Sequence, residues 1–317
     1  MRIAVLDDWA GVARDFAPWD ALEAELRFFE TPIPEAALAD TLAPFDVICV
    51  MRERTPLPAA LIESLPALKL IVTTGARNLA IDVAAAKARG VTVCGTQSRK
   101  TTTSELTLAM ILHQGRRIGE ESARLAGGGF QGAPGRDLAD LAVGLVGLGN
   151  VGGQVAALCR AFGSTVRAWS PNLTDERAAE HGVERAVSLA SLAERSDVLT
   201  IHMVLSARSE GLVGAAALAA LPAEAVVVNT SRAGLLDRGA LFDWMARDAS
   251  ARAAIDVFEA EPLPDDDPWR AAKTRFGERL LLTPHMGYVT RATWALFHEQ
   301  TVEAIAAFAA GSPIREL

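Results

Sequence analysis

The stretch that decides the fold is residues 142–152, which read Ala-Val-Gly-Leu-Val-Gly147-Leu-Gly149-Asn-Val-Gly152. An apolar run of strand type leads into glycines spaced Gly-x-Gly-x-x-Gly, and a helical pattern follows. In such a turn the first glycine permits a tight bend, the second lets the backbone approach a pyrophosphate, and the third lets the helix pack on the strand. We therefore predict a dinucleotide-binding turn here, with a purely structural glycine turn as the alternative.

Short apolar runs alternate with alanine-rich helical stretches on both sides of this turn. We predict strands at residues 3–6, 47–51, 70–73, 91–94, 142–146, 165–169, 198–202, 225–229, 253–257 and 280–283. We predict helices at residues 34–43, 58–65, 81–89, 104–117 and 290–310, and a loop at residues 127–135. Because the strands show no strict in–out alternation of polarity, we expect parallel sheets covered by helices on both faces.

The overall composition restricts the class of protein. The chain has 317 residues, of which 50% are hydrophobic and 22% charged, and a formal net charge of -8. This length is typical of two compact domains, and an acidic balance argues against nucleic acid as a partner. No charge-free apolar run is long enough to span a bilayer, and no signal-peptide pattern begins the sequence. We expect a cytoplasmic protein without a membrane partner.

The cysteines give no sign of a metal site. Cys49, Cys94 and Cys159 lie far apart and form no Cys-x-x-Cys pair. Their spacing fits neither a disulfide framework nor a zinc site and favours a reducing compartment. We predict no bound metal.

The strand after the glycine turn bears on the choice of dinucleotide. An acid near the end of this strand usually binds the ribose hydroxyls of NAD. Here that position is Ser170, followed by Pro171 and Asn172, and no carboxylate appears before Asp175. No arginine or lysine follows between Pro171 and Asp175 to bind a 2′-phosphate. We predict NAD as the cofactor and keep NADP as the alternative.

Three later segments place chemically useful side chains just after predicted strands. Arg232 follows Val-Val-Val-Asn-Thr-Ser, Glu261 follows Ile-Asp-Val-Phe-Glu-Ala, and His285 follows Leu-Leu-Leu-Thr-Pro. The carboxyl ends of parallel strands share one edge of a sheet, where ligands of such folds bind. An arginine can bind a carboxylate, and a histidine paired with an acid can exchange a proton with a developing alkoxide. Each residue alone has an ordinary structural explanation, but together they suit the interconversion of 2-hydroxy and 2-oxo acids.

These motifs resemble the D-isomer-specific 2-hydroxyacid dehydrogenase family, near its phosphoglycerate dehydrogenase-like branch. The resemblance implies an NAD(P)-dependent enzyme in which Arg232 binds substrate, Glu261 partners the histidine and His285 is the acid–base. It further implies contacts at other positions. Cofactor contacts are expected at Gly147, Gly149, Asn150, Val151, Gly152, Ser170, Thr230 and Asp256, the last through the nicotinamide carboxamide. Substrate contacts are expected at Arg52, Gly75, Ala76 and Arg232.

The resemblance also implies the domain organisation. Residues 1–96 and 284–317 would form a flavodoxin-like substrate-binding domain, and residues 97–283 a Rossmann NAD(P)-binding domain inserted into it. Both would be doubly wound parallel-sheet domains. Members of the family are commonly homodimers through the nucleotide domain, so a homodimer is expected.

Two other functions compete with a dehydrogenase of 2-hydroxy acids. A dinucleotide-sensing module that binds a protein partner could work without turnover, although it would have no need of Arg232, Glu261 and His285. A formate dehydrogenase relative typically pairs its histidine with glutamine, and Glu261 argues against that. Which small 2-oxo or 2-hydroxy acid is the substrate stays open at this stage.

Overall fold

The computed structural model describes residues 1–317, which fold as two compact units. One unit consists of Met1–Arg99 and Val289–Leu317, and the other of Lys100–Tyr288. We call them the split unit and the inserted unit. The boundary falls after Tyr288, so His285 and Glu261 lie in the same unit.

All strands belong to two parallel sheets. The strands are β1 (Arg2–Val5), β2 (Glu25–Phe28), β3 (Val47–Val50), β4 (Leu70–Thr73), β5 (Thr92–Gly95), β6 (Ala142–Val146), β7 (Thr165–Trp169), β8 (Glu184–Arg185), β9 (Val198–Ile201), β10 (Val226–Asn229), β11 (Arg252–Ile255) and β12 (Leu280–Leu282). The split unit has the order β2-β1-β3-β4-β5, which is the flavodoxin-like order. The inserted unit has the order β12-β11-β10-β9-β6-β7-β8, which is a Rossmann order extended by one strand. The predicted fold class is confirmed.

Helices lie between most successive strands, and the longest helix follows the last strand. They are α1 (Leu38–Leu42), α2 (Ala59–Ser64), α3 (Val83–Ala88), α4 (Thr102–Gly115), α5 (Ile118–Ala126), α6 (Asn150–Ala161), α7 (Asp175–Glu180), α8 (Leu189–Ala193), α9 (Ala215–Ala219), α10 (Arg238–Arg247), α11 (Pro268–Phe276) and α12 (Arg291–Ala309). None of them combines the length and apolar character needed to cross a bilayer. Residues 127–135 contain neither helix nor strand, as predicted.

Local sequence explains where many helices begin. The side chains of Asp82, Thr174, Asp237 and Thr290 each accept a hydrogen bond from a backbone N–H in the first turn of the following helix. Such caps satisfy donors that have no partner inside the helix.

The core of each unit lies on both faces of its sheet, because alternate residues of a strand point in opposite directions. In the split unit, Ile3 and Val5 pack on the face covered by Ile305 of α12. Ala4 and Leu6 pack on the opposite face. Both faces are therefore buried, which explains why the strands read as continuous apolar runs.

Candidate active site

The glycine turn follows β6 in the inserted unit and has no room for side chains at two of its three glycines. Gly147 has φ +105°, and a Cβ there would lie 2.6 Å from the carbonyl oxygen of His202. A Cβ at Gly152 would lie 2.2 Å from the carbonyl oxygen of Gly147. At Gly149 a Cβ would meet nothing within 4 Å, so this backbone faces open space. The turn is thus tight on its protein side and open on the side where a ligand would approach.

Helix α6 begins directly at this opening. Gly149 is its N-cap residue and offers no side-chain cap, so the first N–H groups of the helix remain available to a ligand. Asn150 is exposed and Val151 half-buried at the same end. Free N–H groups and the positive end of the helix dipole together favour a phosphate. The residues present therefore fit the pyrophosphate of a dinucleotide.

Two further residues predicted to contact the cofactor, Ser170 and Thr230, each follow a strand of the same sheet as the glycine turn. The N–H of Gly147 donates to the carbonyl of Trp169 at 2.8 Å, which places Ser170 next to the turn. The Thr230 hydroxyl follows β10 and lies 2.8 Å from the Thr107 hydroxyl of α4. Thr230 is buried and its hydroxyl is held in place by this hydrogen bond.

His285 and Glu261 are in direct contact. The distance between His285 Nδ1 and Glu261 Oε2 is 2.6 Å, and the side chains are 26% and 18% exposed. The other carboxylate oxygen, Oε1, accepts a hydrogen bond from the Phe258 N–H at 3.0 Å. A carboxylate fixed in this way orients the imidazole ring. The sequence placed these residues 24 positions apart, and the fold joins them.

Asp256 holds the loop that carries His285. Its Oδ1 accepts hydrogen bonds from the Thr283 hydroxyl at 2.6 Å and the Met286 N–H at 2.8 Å. Its Oδ2 accepts one from the Gly287 N–H at 2.9 Å. Burial raises the pKa of the Asp256 carboxyl above its ordinary value, and these hydrogen bonds partly offset the rise. In the structure the carboxylate of Asp256 is fully buried and anchors the 283–287 loop. Its predicted contact with the nicotinamide carboxamide stays a prediction.

The anchored loop keeps His285 in an unusual conformation. Its φ is +50°, a region that residues other than glycine rarely adopt. Its N–H donates to the Thr283 carbonyl at 2.9 Å, and its ring lies 5.7 Å from the ring of Tyr288. Backbone strain of this kind is commonly kept at functional sites, where the surrounding contacts maintain it.

Arg232 follows β10 at the same carboxyl edge of the sheet. The Asn229 side chain shapes its turn, since its Nδ2 donates to the Arg232 carbonyl and its Oδ1 accepts from the Ser231 N–H. The Ser231 hydroxyl donates to the carbonyl of Ile201 at 2.7 Å. The sequence marked Arg232 but gave no sign that Asn229 and Ser231 hold its backbone.

The predicted substrate residues of the split unit lie at the carboxyl edge of its sheet. Arg52, with φ +54°, follows β3, and its Nη1 lies 3.4 Å from the Ser98 hydroxyl. The Gly75 N–H donates to the Thr96 hydroxyl at 2.8 Å and is therefore engaged within the protein. No hydrogen bond engages the N–H of Ala76 within this unit. The structure thus leaves Ala76, rather than Gly75, with an amide available for an anion.

The same edge contains a stacked pair that the sequence did not reveal. The guanidinium of Arg54 lies 3.8 Å from the centre of the Trp9 ring. The Thr55 hydroxyl donates to Asp7 at 2.9 Å, and burial raises the pKa of the Asp7 carboxyl. Trp9 therefore stacks on an arginine at this edge. A stacked cation is attracted to the aromatic face.

His202 does not belong to the reactive set. Its Nε2 lies 3.0 Å from the Thr200 hydroxyl, and burial lowers its pKa to about 3. The ring is therefore neutral near pH 7. Its backbone forms one wall of the glycine turn, which is a structural task. No group of three His, Cys, Asp or Glu side chains is placed to hold a metal ion.

Comparison with known proteins supports this description. The D-3-phosphoglycerate dehydrogenase of Archaeoglobus fulgidus is 29% identical, over 99% of this chain and 58% of that protein. The glyoxylate reductase of Korarchaeum cryptofilum is 30% identical, over 81% of this chain and 77% of that protein. The crystal structure of a phosphoglycerate oxidoreductase from Vibrio cholerae is 31% identical, with a TM-score of 0.89, covering 98% of this chain and 100% of that chain.

The chain spans about half the length of the curated phosphoglycerate dehydrogenases that it matches. Residues 108–287, all in the inserted unit, match the family model described as D-isomer specific 2-hydroxyacid dehydrogenase, NAD binding domain. This match confirms the family resemblance seen in the sequence and the prediction of NAD as the cofactor. The chain belongs to the D-isomer specific 2-hydroxyacid dehydrogenase family.

Proposed function

We propose that this chain is an NAD(P)-dependent dehydrogenase that interconverts a D-2-hydroxy acid and its 2-oxo acid. The observation that carries the proposal is the 2.6 Å contact between His285 and Glu261 at the edge of a dinucleotide-binding sheet. Arg232 follows a strand of the same sheet and completes the set. The D configuration rests on membership of the family.

His285 is the general acid and base in this proposal. When bound, the reduced nicotinamide would supply the hydride that reduces the carbonyl carbon of the 2-oxo acid. His285 Nε2 donates a proton to the carbonyl oxygen as negative charge develops there, and removes it in the reverse direction. Glu261 keeps Nδ1 protonated and the ring oriented, so that the proton in transit is on Nε2. Positioned acid–base catalysis of this kind contributes about 10²- to 10⁴-fold to the rate.

Arg232 binds the substrate carboxylate and polarises its carbonyl. A guanidinium matches a carboxylate with two parallel hydrogen bonds, and its charge stabilises the developing oxyanion. In the split unit, Arg52 and the N–H of Ala76 are our candidates for further substrate contacts. The split unit is accordingly proposed as the substrate-binding domain and the inserted unit as the nucleotide-binding domain.

A homodimer through the inserted unit is part of the proposal. Helix α5 has no buried residue, and Ile118 and Leu125 on it are 50% and 62% exposed. Phe130, in the loop that follows, is 78% exposed. A contiguous exposed apolar patch marks an association surface, and we propose that these three side chains form one. A cytoplasmic location is also proposed, since all three cysteines are free thiols, as in a reducing compartment.

The test is a substrate panel with the purified chain. NADH oxidation is followed with glyoxylate, hydroxypyruvate, 3-phosphohydroxypyruvate, pyruvate and longer aliphatic 2-oxo acids. The panel covers the substrates that the names of the relatives suggest together with smaller and larger acids. We expect turnover with at least one acid and a D-2-hydroxy acid as the product. Inactivity across the panel, with NADH still bound, would overturn the enzyme in favour of a dinucleotide sensor.

A further inference from the structure

The ribose end of the nucleotide site lacks the usual carboxylate. Strand β7 ends at Trp169, whose carbonyl accepts the hydrogen bond from Gly147, so Ser170 stands at the place nearest the glycine turn. The Ser170 carbonyl accepts a hydrogen bond from the Leu173 N–H at 3.1 Å, which closes a short turn. A carboxylate at this place would bind both ribose hydroxyls of NAD and would repel a 2′-phosphate. Neither effect can arise from a serine.

The charged side chains around this turn are engaged with one another. The ion pairs are Arg167–Glu184 at 2.9 Å, Arg185–Asp175 at 2.6 Å and Arg177–Glu180 at 2.5 Å. Because each arginine has a carboxylate partner, a phosphate would have to compete with a carboxylate for any of these cations. Asp175, the first carboxylate after the strand, is likewise balanced by Arg185. Glu176 is fully exposed, so its charge is screened by solvent and salt.

The side chains left at the turn are neutral and can hydrogen-bond either ligand. Ser170 is half-buried and Asn172 is exposed. A hydroxyl and an amide each contain a donor and an acceptor, so they can bind a ribose hydroxyl or a phosphate oxygen. The local site therefore neither rejects a 2′-phosphate by charge nor selects it.

We propose that the ribose site of this chain accepts nicotinamide dinucleotides with and without a 2′-phosphate, and that Ser170 is the residue that permits this. The inference rests on the proposed function only in requiring that the inserted unit bind the dinucleotide. NADH and NADPH should then differ in Kd by no more than about tenfold, which corresponds to about 1.4 kcal/mol.

The test is equilibrium binding without substrate. Isothermal titration calorimetry of the full chain gives the Kd for NADH and for NADPH in the same buffer and salt. A ratio within about tenfold supports the proposal, and a larger ratio in either direction overturns it. Because no turnover is measured, failure of the binding test leaves the proposed dehydrogenase intact, and an inactive chain can still pass it.

A pair of variants tests the role of Ser170 itself. In Ser170→Asp the added charge should weaken NADPH at least about tenfold more than NADH, because it faces the 2′-phosphate. Ser170→Asn adds nearly the same volume without charge and should keep the wild-type ratio. Far-ultraviolet circular dichroism and the Tm establish that both variants fold. If Ser170→Asp folds and keeps the wild-type ratio, Ser170 does not face the ribose and the proposal is wrong.

Discussion

The contact between His285 and Glu261 makes the two side chains one functional group, and their substitutions should reflect that. We expect Glu261→Gln to lower kcat/KM by about 10- to 100-fold, because the amide cannot stabilise a protonated imidazole. His285→Ala should lower it by about 10²- to 10⁴-fold. Steady-state kinetics of the double variant should match His285→Ala alone, since residues that act as a unit are not additive. Additive losses would mean that Glu261 acts independently of His285.

His298 gives a prediction for stability rather than activity. It is buried in the split unit, its ring centre lies 5.9 Å from those of Trp19 and Trp294, and burial lowers its pKa to about 4. The unfolded chain binds a proton at this site below about pH 6.5, and the folded chain does not. Stability present above that pH is therefore lost progressively as the pH falls toward 4, by at most about 3 kcal/mol from this group.

Urea unfolding of wild type and His298→Phe across this pH range measures the effect. The variant should show a smaller loss of unfolding free energy between pH 6.5 and 4, whatever its absolute stability. His202, whose pKa is lowered to about 3, contributes to the loss in both proteins, so the slope should shrink without vanishing. Equal slopes in the two proteins would contradict the assignment to His298.

At the candidate site, the sequence predicted the reactive residues but not the contacts that hold them in place. Arg232, Glu261 and His285 were predictable because each follows an apolar strand, and parallel strands end at one edge. The supporting contacts were not predictable, since they join segments distant in the chain. Asp256 anchors Gly287 from 31 positions away, and Thr96 takes the N–H of Gly75 from 21 positions away.

At the scale of elements, the glycine turn links strand β6 to helix α6. An alanine substitution at Gly149 and one at Gly152 should have different effects, because the two positions have different surroundings. Gly152→Ala forces a Cβ against the Gly147 carbonyl and should lower the unfolding free energy by about 1–3 kcal/mol. Gly149→Ala meets no protein atom and should leave stability within about 0.5 kcal/mol while weakening NADH binding, because its methyl group lies where the pyrophosphate approaches.

Thermal unfolding and NADH titration of both variants separate these effects. Each alanine serves as the control for the other, since the substitution is the same and only the surroundings differ. If Gly149→Ala bound NADH as tightly as wild type, the open side of the turn would not be the ligand side.

The elements were predicted well in the interior of the sheets, and the edge strands β5 and β12 were predicted to within one residue. Strands β4, β6 and β7 have the predicted bounds, and the other predicted strands differ by one or two residues at their ends. The edge strands β2 and β8 were missed. Glu25–Phe28 and Glu184–Arg185 are short and partly exposed, so they lack the apolar run that marks a buried strand. The predicted helix at 34–43 is a 3-10 turn followed by the short helix α1.

At the scale of the whole molecule, association through the inserted unit can be tested apart from catalysis. Leu125→Glu and Phe130→Glu place a charge on exposed apolar positions that make no core contact. We expect sedimentation equilibrium to show a dimer for wild type and a monomer for the double variant. Arg247→Glu, on the exposed side of α10, is a charge-changing control that should stay dimeric. A wild-type monomer, or a double variant that remains dimeric, would exclude this surface as the interface.

The measurement that tests the central claim most directly is single-turnover oxidation of bound NADH by the best 2-oxo acid, in wild type and His285→Ala. Acid–base catalysis by His285 predicts that the variant binds NADH with an unchanged Kd but loses about 10²-fold or more in the rate of NADH oxidation. An unchanged rate with intact NADH binding would show that another group supplies the proton and would contradict the account.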